Sequence, residues 1–340
     1  MINVGIIGYG FASKTFHAPL ISACPDMRLT AIMSSQRDAI NTDYPDVIDC
    51  RVIEELIAHV DLVVIATPND VHYSLAKFCL EQRMHVVVDK PMTTTYAEAQ
   101  SLIKLSEENN VQLSAFHNRR WDGDFLTVKK LLDTKALGKL RIFESHFDRF
   151  RPHVRERWRE QPGAGSGIWF DLGAHLIDQA LHLFGTPNAI TARCLELREN
   201  SQVIDYFHVL LHYNHLEVIL HSSPFSASTN TRYHLQGDLA SFIKPGLDIQ
   251  ESQLIEGLSP LDQIYGHDLP EQYGILYRDG SSEKITTETG RYQHYYQSVA
   301  DAINYNRLLP VTALEAAVVI KVIELGIQSS QQGVTLDFGQ

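Results

Sequence analysis

The sequence has few cysteines, and they stand far apart. Cys24, Cys50, Cys79 and Cys194 are the only four in 340 residues, and no two of them form a CxxC pair. This spacing offers neither the paired thiolates of a zinc site nor a disulfide framework. The scarcity of cysteine favours a reducing, intracellular setting, and we expect a cytoplasmic protein.

An excess of positive charge and a long apolar run are also missing. Lysine and arginine number 29 against 41 aspartates and glutamates, which gives a formal net charge of -12. This charge opposes general attraction to nucleic acid or anionic membranes. No apolar run approaches membrane-spanning length, and the strand-like residues 2–7 leave no room for a signal peptide. We therefore expect neither nucleic acid nor a membrane as a partner.

The chain does have enough apolar material for about two domains, since 44% of its residues are hydrophobic. Its first third alternates β-branched runs with helix-like segments. Because these runs are continuously apolar, they suit strands covered on both faces, which indicates a parallel sheet with helical crossovers. The predicted strands are residues 3–7, 29–33, 62–66, 85–88 and 111–115. The pattern predicts a doubly wound, nucleotide-binding α/β domain over residues 1–118.

A different pattern begins near residue 118. Strand-like runs follow one another closely, and helix-like segments are few. Such clustering predicts an antiparallel sheet with helices on one side, in a second domain over residues 119–340. The predicted strands are residues 140–147, 189–197, 206–211 and 215–221, and the predicted helices are 125–132, 168–183 and 312–327. Residues 244–283, rich in glycine, proline and acids, give no clear pattern.

A glycine turn, Gly8-Tyr-Gly10-Phe11-Ala12-Ser13, stands between the first predicted strand and a helical segment. In this context Gly8 permits a tight turn, and Gly10 lets the backbone approach a pyrophosphate whose charge suits the amides of a helix N-terminus. Ser13 replaces the usual third glycine and is small enough for close packing. An ordinary surface turn is the alternative, but the position favours dinucleotide binding.

The second predicted strand ends in Ser34-Ser35-Gln36-Arg37 instead of an acid. An acid there usually accepts hydrogen bonds from the adenosine ribose, whereas hydroxyls and a guanidinium suit the 2′-phosphate of NADP. We predict NADP as the cofactor, and nearby Asp38 keeps NAD open as the alternative.

Asp89-Lys90-Pro91 follows the strand predicted at residues 85–88. Ligands bind at the carboxyl ends of strands in open sheets of this class. An ammonium there can hydrogen-bond a reacting hydroxyl and stabilise alkoxide character, while Pro91 would hold the turn. The alternative is a surface lysine before a turn.

Asp171 and His175 lie four residues apart in a helical segment, so both side chains can point into one cleft. A neutral histidine can accept a hydroxyl proton while hydride leaves the same carbon, with Asp171 orienting the ring or binding a neighbouring hydroxyl. Asp178 and His182 extend this stripe, but four ligands along one helix span too great a length to share an ion. We predict no metal here; a helix with a structural histidine is the alternative.

The order of four motifs is more specific than any one of them. The glycine turn, Thr67-Pro68-Asn69-Asp70-Val71-His72, Asp89-Lys90-Pro91 and Asp171-x-x-x-His175 together resemble the Gfo/Idh/MocA oxidoreductases over nearly the whole chain. Residues 10–19, 116–125 and 143–151 look most like the branch containing NADP-dependent scyllo-inositol dehydrogenases. The resemblance implies an N-terminal Rossmann domain and a C-terminal domain with a large open, mostly antiparallel sheet, used for substrate binding and for assembly into a homodimer or homotetramer.

The resemblance also implies roles for individual residues. Lys90, Asp171 and His175 would be catalytic and contact the substrate, and Asp89 stands where many relatives carry glutamate. Arg120 and His146 fall where relatives often contact substrate, with solvated charge and strand packing as the alternatives. The cofactor contacts predicted from turn and resemblance are Gly8, Gly10, Phe11, Ala12, Ser34, Ser35, Arg37, Thr67, Pro68, Asn69, His72, Asp89, Trp158 and Arg159.

These features predict an enzyme that moves a hydride between a nicotinamide and a secondary alcohol or ketone carbon of a sugar or cyclitol, with scyllo-inositol and scyllo-inosose as candidates. Two alternatives stay open. One is a nicotinamide-binding sensor without turnover, against which the intact lysine and Asp-His pair argue. The other is a same-fold reductase of a non-sugar carbonyl, against which the polar residues near the predicted cleft argue.

Overall fold

The computed structural model describes residues 1–339. The chain folds into two compact units, and neither is one continuous stretch. Unit 1 comprises Met1–Trp121, Gln250–Tyr265 and Arg291–Ala317. Unit 2 comprises Asp122–Ile249, Gly266–Gly290 and the described residues from Val318 onward. No sequence pattern assigned the two later segments to unit 1.

Fifteen strands and ten α-helices are present in residues 1–339. The strands are β1 (Ile2–Ile7), β2 (Met27–Met33), β3 (Ile48–Cys50), β4 (Leu62–Ile65), β5 (His85–Asp89), β6 (Leu113–Phe116), β7 (Leu140–His146), β8 (Ala189–Leu195), β9 (Tyr206–Tyr213), β10 (Leu216–Ser222), β11 (Thr231–Gly237), β12 (Ser241–Pro245), β13 (Gly274–Arg278), β14 (Ser281–Ile285) and β15 (Leu336–Asp337). The helices are α1 (Ala18–Ser22), α2 (Arg37–Asp43), α3 (Ile53–Ile57), α4 (His72–Glu81), α5 (Tyr96–Asn109), α6 (Gly123–Asp133), α7 (Ala174–Phe184), α8 (Gln250–Ile255), α9 (Gln293–Tyr305) and α10 (Ala313–Gln332). No helix among these residues combines the length and hydropathy needed to cross a bilayer.

Unit 1 contains a six-stranded sheet in the order β3-β2-β1-β4-β5-β6. Every neighbouring pair is parallel, which confirms the doubly wound architecture. Strands β4 and β6 are buried at every position, because layers cover both faces of the sheet. The polar residues of the candidate site follow the strands, and the carboxyl ends of β1, β4 and β5 lie side by side.

The helix that follows the glycine turn begins at Phe11 and is not regular. Residues Ser13–His17 form a π-helical turn, after which α1 begins and places Pro19 near its first position. Proline has no amide proton and clashes with the carbonyl four residues earlier. The wider π turn directly before Pro19 accommodates it, and it presents Ser13 and His17 on the buried side of the helix.

Unit 2 contains a nine-stranded sheet in the order β14-β13-β12-β11-β7-β10-β9-β8-β15. All its strand pairs are antiparallel except the parallel pair of β7 and β10, so the prediction of a mostly antiparallel sheet is confirmed. Burial alternates along β7, β9 and β10, which shows that one face is buried and the other is partly exposed. Strands β11 to β15 lie where no sequence pattern predicted strands.

Candidate active site

Two close contacts of Gly8, with Ala66 and with Ser13, hold the glycine turn after β1. Gly8 has a φ of +93°, and an added Cβ would lie 2.5 Å from the Ala66 carbonyl oxygen, so a larger residue does not fit. The Ser13 hydroxyl donates a 2.6 Å hydrogen bond to the Gly8 carbonyl and closes the turn from the helix side. Among the residues that the structure describes, none beyond its chain neighbours would lie within 4 Å of a Cβ on Gly10. The backbone at Gly10 is therefore open to a phosphate, which fits the dinucleotide expected there.

Phe11 and Ala12 begin the helix directly after this open backbone. Phe11 is 54% exposed, and its ring meets Phe16 edge-on with centroids 6.0 Å apart. A phenylalanine this exposed at the start of a helix offers an apolar surface beside the predicted pyrophosphate position.

The end of β2 carries the residues predicted to select NADP. The Ser34 hydroxyl accepts a 3.3 Å hydrogen bond from the Gln36 amide, and Arg37 begins α2. The Arg37 side chain is 38% exposed, and its Nε lies 3.7 Å from an Asp49 carboxylate oxygen. The site thus combines hydroxyls with an accessible guanidinium that one carboxylate partly neutralises. Ser35 is exposed beside them.

His72 ties together the turns that follow β4 and β5. Its Nδ1 lies 2.9 Å from the Pro91 carbonyl oxygen and its Nε2 lies 3.0 Å from the Thr67 carbonyl oxygen. Burial lowers the pKa of His72, so the neutral ring donates to one of these carbonyls at a time. The ring is fully buried, and it supports the turn of Thr67, Pro68 and buried Asn69 from below.

Lys90 follows the last residue of β5 and is 9% exposed. The Asp89 carboxylate accepts a 2.7 Å hydrogen bond from the Lys90 amide. The other Asp89 oxygen lies 4.0 Å from Nε2 of His17, whose Nδ1 is 2.7 Å from the Tyr296 hydroxyl. Burial would raise the pKa of Asp89, but the nearby His17 imidazole and the Lys90 ammonium bring it to about 2. A fixed carboxylate thus anchors the backbone that carries Lys90.

Sequence reasoning missed His17 as a neighbour of Asp89, and Tyr296 as the partner of His17. His17 stands within the Phe-His-Ala-Pro segment that contributed to the family resemblance, which was the only available signal. Tyr296 belongs to α9, and nothing in local sequence indicates that a residue so distant along the chain reaches this turn.

In unit 2, Asp171 and His175 lie on either side of the boundary between a π-helical turn, Trp169–Gly173, and α7. The Trp169 ring is fully buried and its Nε1 donates a 3.0 Å hydrogen bond to the Ile323 carbonyl. An added Cβ on Gly173 would collide with this ring. Packing therefore requires a small residue before α7. Asp171 lies four residues, about one helical turn, before His175.

Asp171 and His175 differ in exposure. The Asp171 side chain is 26% exposed, and one oxygen lies 3.8 Å from Nε of Arg159, a residue predicted to approach the cofactor. His175 is 6% exposed. The roles of Asp171, His175 and Arg159 stay predictions. The Trp158 side chain lies outside the described part of the structure.

Arg120 is held by a structural ion pair. Its guanidinium donates to Glu315 at 3.0 Å and to the Pro310 carbonyl at 3.1 Å, and the residue is 6% exposed. Burial would raise the pKa of Glu315, but the charge of Arg120 and the hydrogen bonds from Thr312 and Arg120 lower it overall. Arg120 thus connects the start of α10 to the end of β6, and its predicted contact with substrate stays a prediction.

His146 lies on the partly exposed face of the nine-stranded sheet. Its Nε2 is 3.3 Å from Glu144 and its Nδ1 is 3.5 Å from Asp148. His221 of β10 stands directly opposite His146 in the register of the two strands. Sequence reasoning singled out His146 but did not anticipate these neighbours, because β7 and β10 are about 75 residues apart along the chain.

Family descriptions match almost the whole chain. The NAD-binding Rossmann fold of the GFO_IDH_MocA oxidoreductase family matches residues 2–117, and the C-terminal α/β domain of that family matches residues 129–338.

Several relatives are similar over their full length. An uncharacterized Escherichia coli oxidoreductase, YdgJ, is 46% identical over 98% of this chain and 98% of its own. The scyllo-inositol 2-dehydrogenase (NADP+) IolW of Bacillus subtilis is 40% identical over 98% of this chain and 95% of its own.

Two solved oxidoreductase structures have the same fold as this chain. The Bacillus subtilis oxidoreductase yvaA superimposes with a TM-score of 0.96 at 40% identity, covering 99% of this chain and 98% of that one. The Yersinia pestis oxidoreductase YPO2259 gives a TM-score of 0.94 at 43% identity, covering 99% and 97%.

Proposed function

The chain belongs to the Gfo/Idh/MocA oxidoreductase family, whose first domain binds NAD(P), and from this premise we propose that it is an NADP-dependent dehydrogenase of a cyclitol or sugar. The proposed reaction moves a hydride between the nicotinamide and a secondary alcohol or ketone carbon, with scyllo-inositol as the first substrate to test. A relative at 40% identity carries the name of an NADP-dependent scyllo-inositol dehydrogenase, which supports this choice.

The observation that carries the proposal is the setting of Lys90. It follows β5 at the carboxyl edge of the parallel sheet, beside the turns that follow β1 and β4. Its backbone is anchored by the ionised Asp89 and its loop is supported by His72. An ammonium at this edge suits an oxygen on which negative charge develops, because a donor carried by an anchored backbone can stabilise alkoxide character.

When bound, the nicotinamide accepts or supplies the hydride. In our proposal Lys90 donates a hydrogen bond to the reacting oxygen and holds the carbon in a reactive orientation. His175 takes the hydroxyl proton during oxidation and returns it during reduction. Asp171, with its carboxylate near Arg159, binds a neighbouring hydroxyl of the substrate.

The preference for NADP is proposed from the end of β2. Arg37 and the hydroxyls of Ser34 and Ser35 are suited to a phosphate, and Asp49 near Arg37 tempers the positive charge. Replacing Arg37 with Ala should raise the KM for NADP by about tenfold or more, since a hydrogen bond to a charged group contributes about 1.5 to 3 kcal/mol. The KM for NAD should change little. An equal loss for both cofactors would refute the assignment of Arg37 to the 2′-phosphate.

The decisive experiment is an activity panel on the purified full chain. Oxidation of cyclitols, sugars and acyclic polyols is followed by the absorbance of the reduced cofactor, with NADP and NAD tested in parallel. Turnover of a cyclitol or sugar with NADP supports the proposal. Tight NADP binding without turnover across the panel would favour a sensor, and activity only on non-sugar carbonyls would favour the third alternative.

A further inference from the structure

The partly exposed face of the nine-stranded sheet brings together two imidazoles and a carboxylate. His146 of β7 and His221 of β10 are register partners, so their side chains lie on the same face. Asp148 follows His146 by two residues and shares that face. One donor atom from each residue falls in a group whose members all lie within 4.8 Å of one another. The three side chains are only 11% to 21% exposed, so they are largely shielded from solvent.

Asp148 is fixed in place by backbone contacts. One of its carboxylate oxygens accepts a 2.8 Å hydrogen bond from the Ser223 amide, and its own amide donates to Asn230 at 2.9 Å. These contacts hold the carboxylate against the two rings. The His221 Nδ1 lies 2.9 Å from one oxygen, and the His146 Nδ1 lies 3.5 Å from the other.

Three ring nitrogens of the two histidines face a carboxylate, whereas two neutral rings carry only two N–H groups. Both ring nitrogens of His146 face carboxylates, Nε2 toward Glu144 at 3.3 Å and Nδ1 toward Asp148, and a neutral ring has one N–H. If Nε2 donates to Glu144, the Nδ1 lone pair points toward Asp148. The buried His221 Nδ1 likewise has no aligned hydrogen-bond partner among residues 1–339 despite its proximity to Asp148. One nitrogen of each ring and a carboxylate oxygen thus lie within 4.8 Å of one another.

We propose that this cluster binds a zinc-class divalent cation through Nδ1 of His146, Nδ1 of His221 and the carboxylate of Asp148. Zinc takes imidazole nitrogens and carboxylate oxygens at about 2.0 to 2.2 Å, which places tetrahedral ligand atoms roughly 3.3 to 3.5 Å apart. The observed separations are of similar size, 2.9 Å from the His221 Nδ1 to one Asp148 oxygen and 3.5 Å from the His146 Nδ1 to the other. Water would complete the coordination sphere.

Glu144 supplies the orienting contact that zinc-bound imidazoles usually have. Its carboxylate lies beside the Nε2 of His146, which fixes the proton on that nitrogen and directs Nδ1 to the ion. Two nitrogen ligands favour zinc over calcium or magnesium, both of which prefer oxygen. The proposal does not rest on the oxidoreductase reaction, because none of the donors is assigned to hydride transfer, although His146 is also a predicted substrate contact.

The test is zinc binding by the untagged full chain after treatment with EDTA and removal of the chelator. Isothermal titration with zinc chloride, and the metal retained after gel filtration, should give one equivalent per chain. His221→Ala and Asp148→Asn should each weaken zinc binding by more than about 100-fold, and Glu144→Gln by about 10-fold. Cobalt binding, followed by its visible absorption, should require the same residues.

His212→Ala is the matched control. His212 lies on the same face, in β9, and pairs with Glu217 and Thr191, so its loss should leave zinc binding unchanged. Circular dichroism checks the fold of every variant, and His146→Ala replaces any variant that fails it. Absence of retained zinc in the wild-type chain would overturn the proposal. It would mean that hydrogen bonds alone join the two histidines to Asp148. Equal retention by wild type, Asp148→Asn and His146→Ala would overturn it as well.

Discussion

The two sheets of this molecule carry their polar chemistry in different places. The six-stranded parallel sheet is covered on both faces, and the polar groups of its candidate site stand at strand ends: the glycine turn after β1, the Thr67 turn after β4 and Lys90 after β5. The nine-stranded sheet has one partly exposed face, and its imidazoles and carboxylates lie along the strands themselves. Coverage of a sheet therefore determines whether its residues act from the ends or from the face.

The most severe test of the first half of this comparison is Lys90→Met. Methionine keeps the length of the side chain and removes the ammonium, so kcat/KM should fall by about 1,000-fold while NADP binding is largely kept. Steady-state kinetics and cofactor titration measure the two quantities. Lys104→Met, at an exposed lysine of α5, should leave both unchanged. Wild-type turnover by Lys90→Met would show that the strand end does not carry the reaction.

On the buried face of the nine-stranded sheet, removing the charge of Arg232 should destabilise the fold. Arg232 is 1% exposed, donates to Gln179 at 2.6 Å and lies 3.5 Å from Asp124, whose side chain is equally buried. Arg232→Met leaves Asp124 buried without its cationic partner, and unfolding should require about 3 kcal/mol less. Denaturant unfolding measures this. Arg193→Met, at an exposed position of β8, should change the free energy of unfolding by under about 0.5 kcal/mol.

The two glycines after β1 separate folding from binding. Gly8→Ala introduces strain at a φ of +93° and a close contact with the Ala66 carbonyl, and should destabilise the protein by about 2 to 3 kcal/mol. Gly10→Ala meets no atom of the described, non-neighbouring residues within 4 Å and should leave stability unchanged while weakening NADP binding by about tenfold or more. Denaturant unfolding and cofactor titration distinguish them. Unchanged NADP binding by Gly10→Ala would contradict the predicted pyrophosphate position.

The ionised Asp89 at the end of β5 should make the free energy of unfolding depend on pH in the acid range. The pKa of Asp89 is lowered from 3.8 to about 2 in the folded protein, so its carboxylate stabilises the fold above pH 3.8 and this stability is lost as the pH falls toward 2. The shift corresponds to about 2 kcal/mol. Asp89→Asn should therefore be less stable than wild type at neutral pH, and the difference should narrow on acidification.

Urea unfolding over a pH series measures this difference. Asp46→Asn, at an exposed position of unit 1, serves as the control and should differ little from wild type throughout the series. A gap between wild type and Asp89→Asn that stays constant down to acid pH would show that the Asp89 carboxylate does not have the lowered pKa.

Local sequence patterns predicted the strands that are apolar along their whole length. The strands that became β1, β2, β4, β5 and β6 were recognisable because continuous apolar runs suit a sheet covered on both faces. The three-residue β3 was too short to recognise. Strands β11 to β14 mix buried residues with polar ones such as Arg232 and Lys244, whose partners Asp124 and Asp268 come from distant segments. No local window contains that information.

The sequence by itself determined the doubly wound first domain, the family and the candidate residues Gly8, Gly10, Lys90, Asp171 and His175, because these depend on short motifs and on periodicities within single elements. Only the tertiary structure placed His17 beside Asp89 and Tyr296 against His17, paired Arg120 with Glu315, and brought His221 opposite His146. Contacts of this kind join residues tens to hundreds of positions apart. They depend on how strands pair and chain segments return, which the motifs around each residue do not encode.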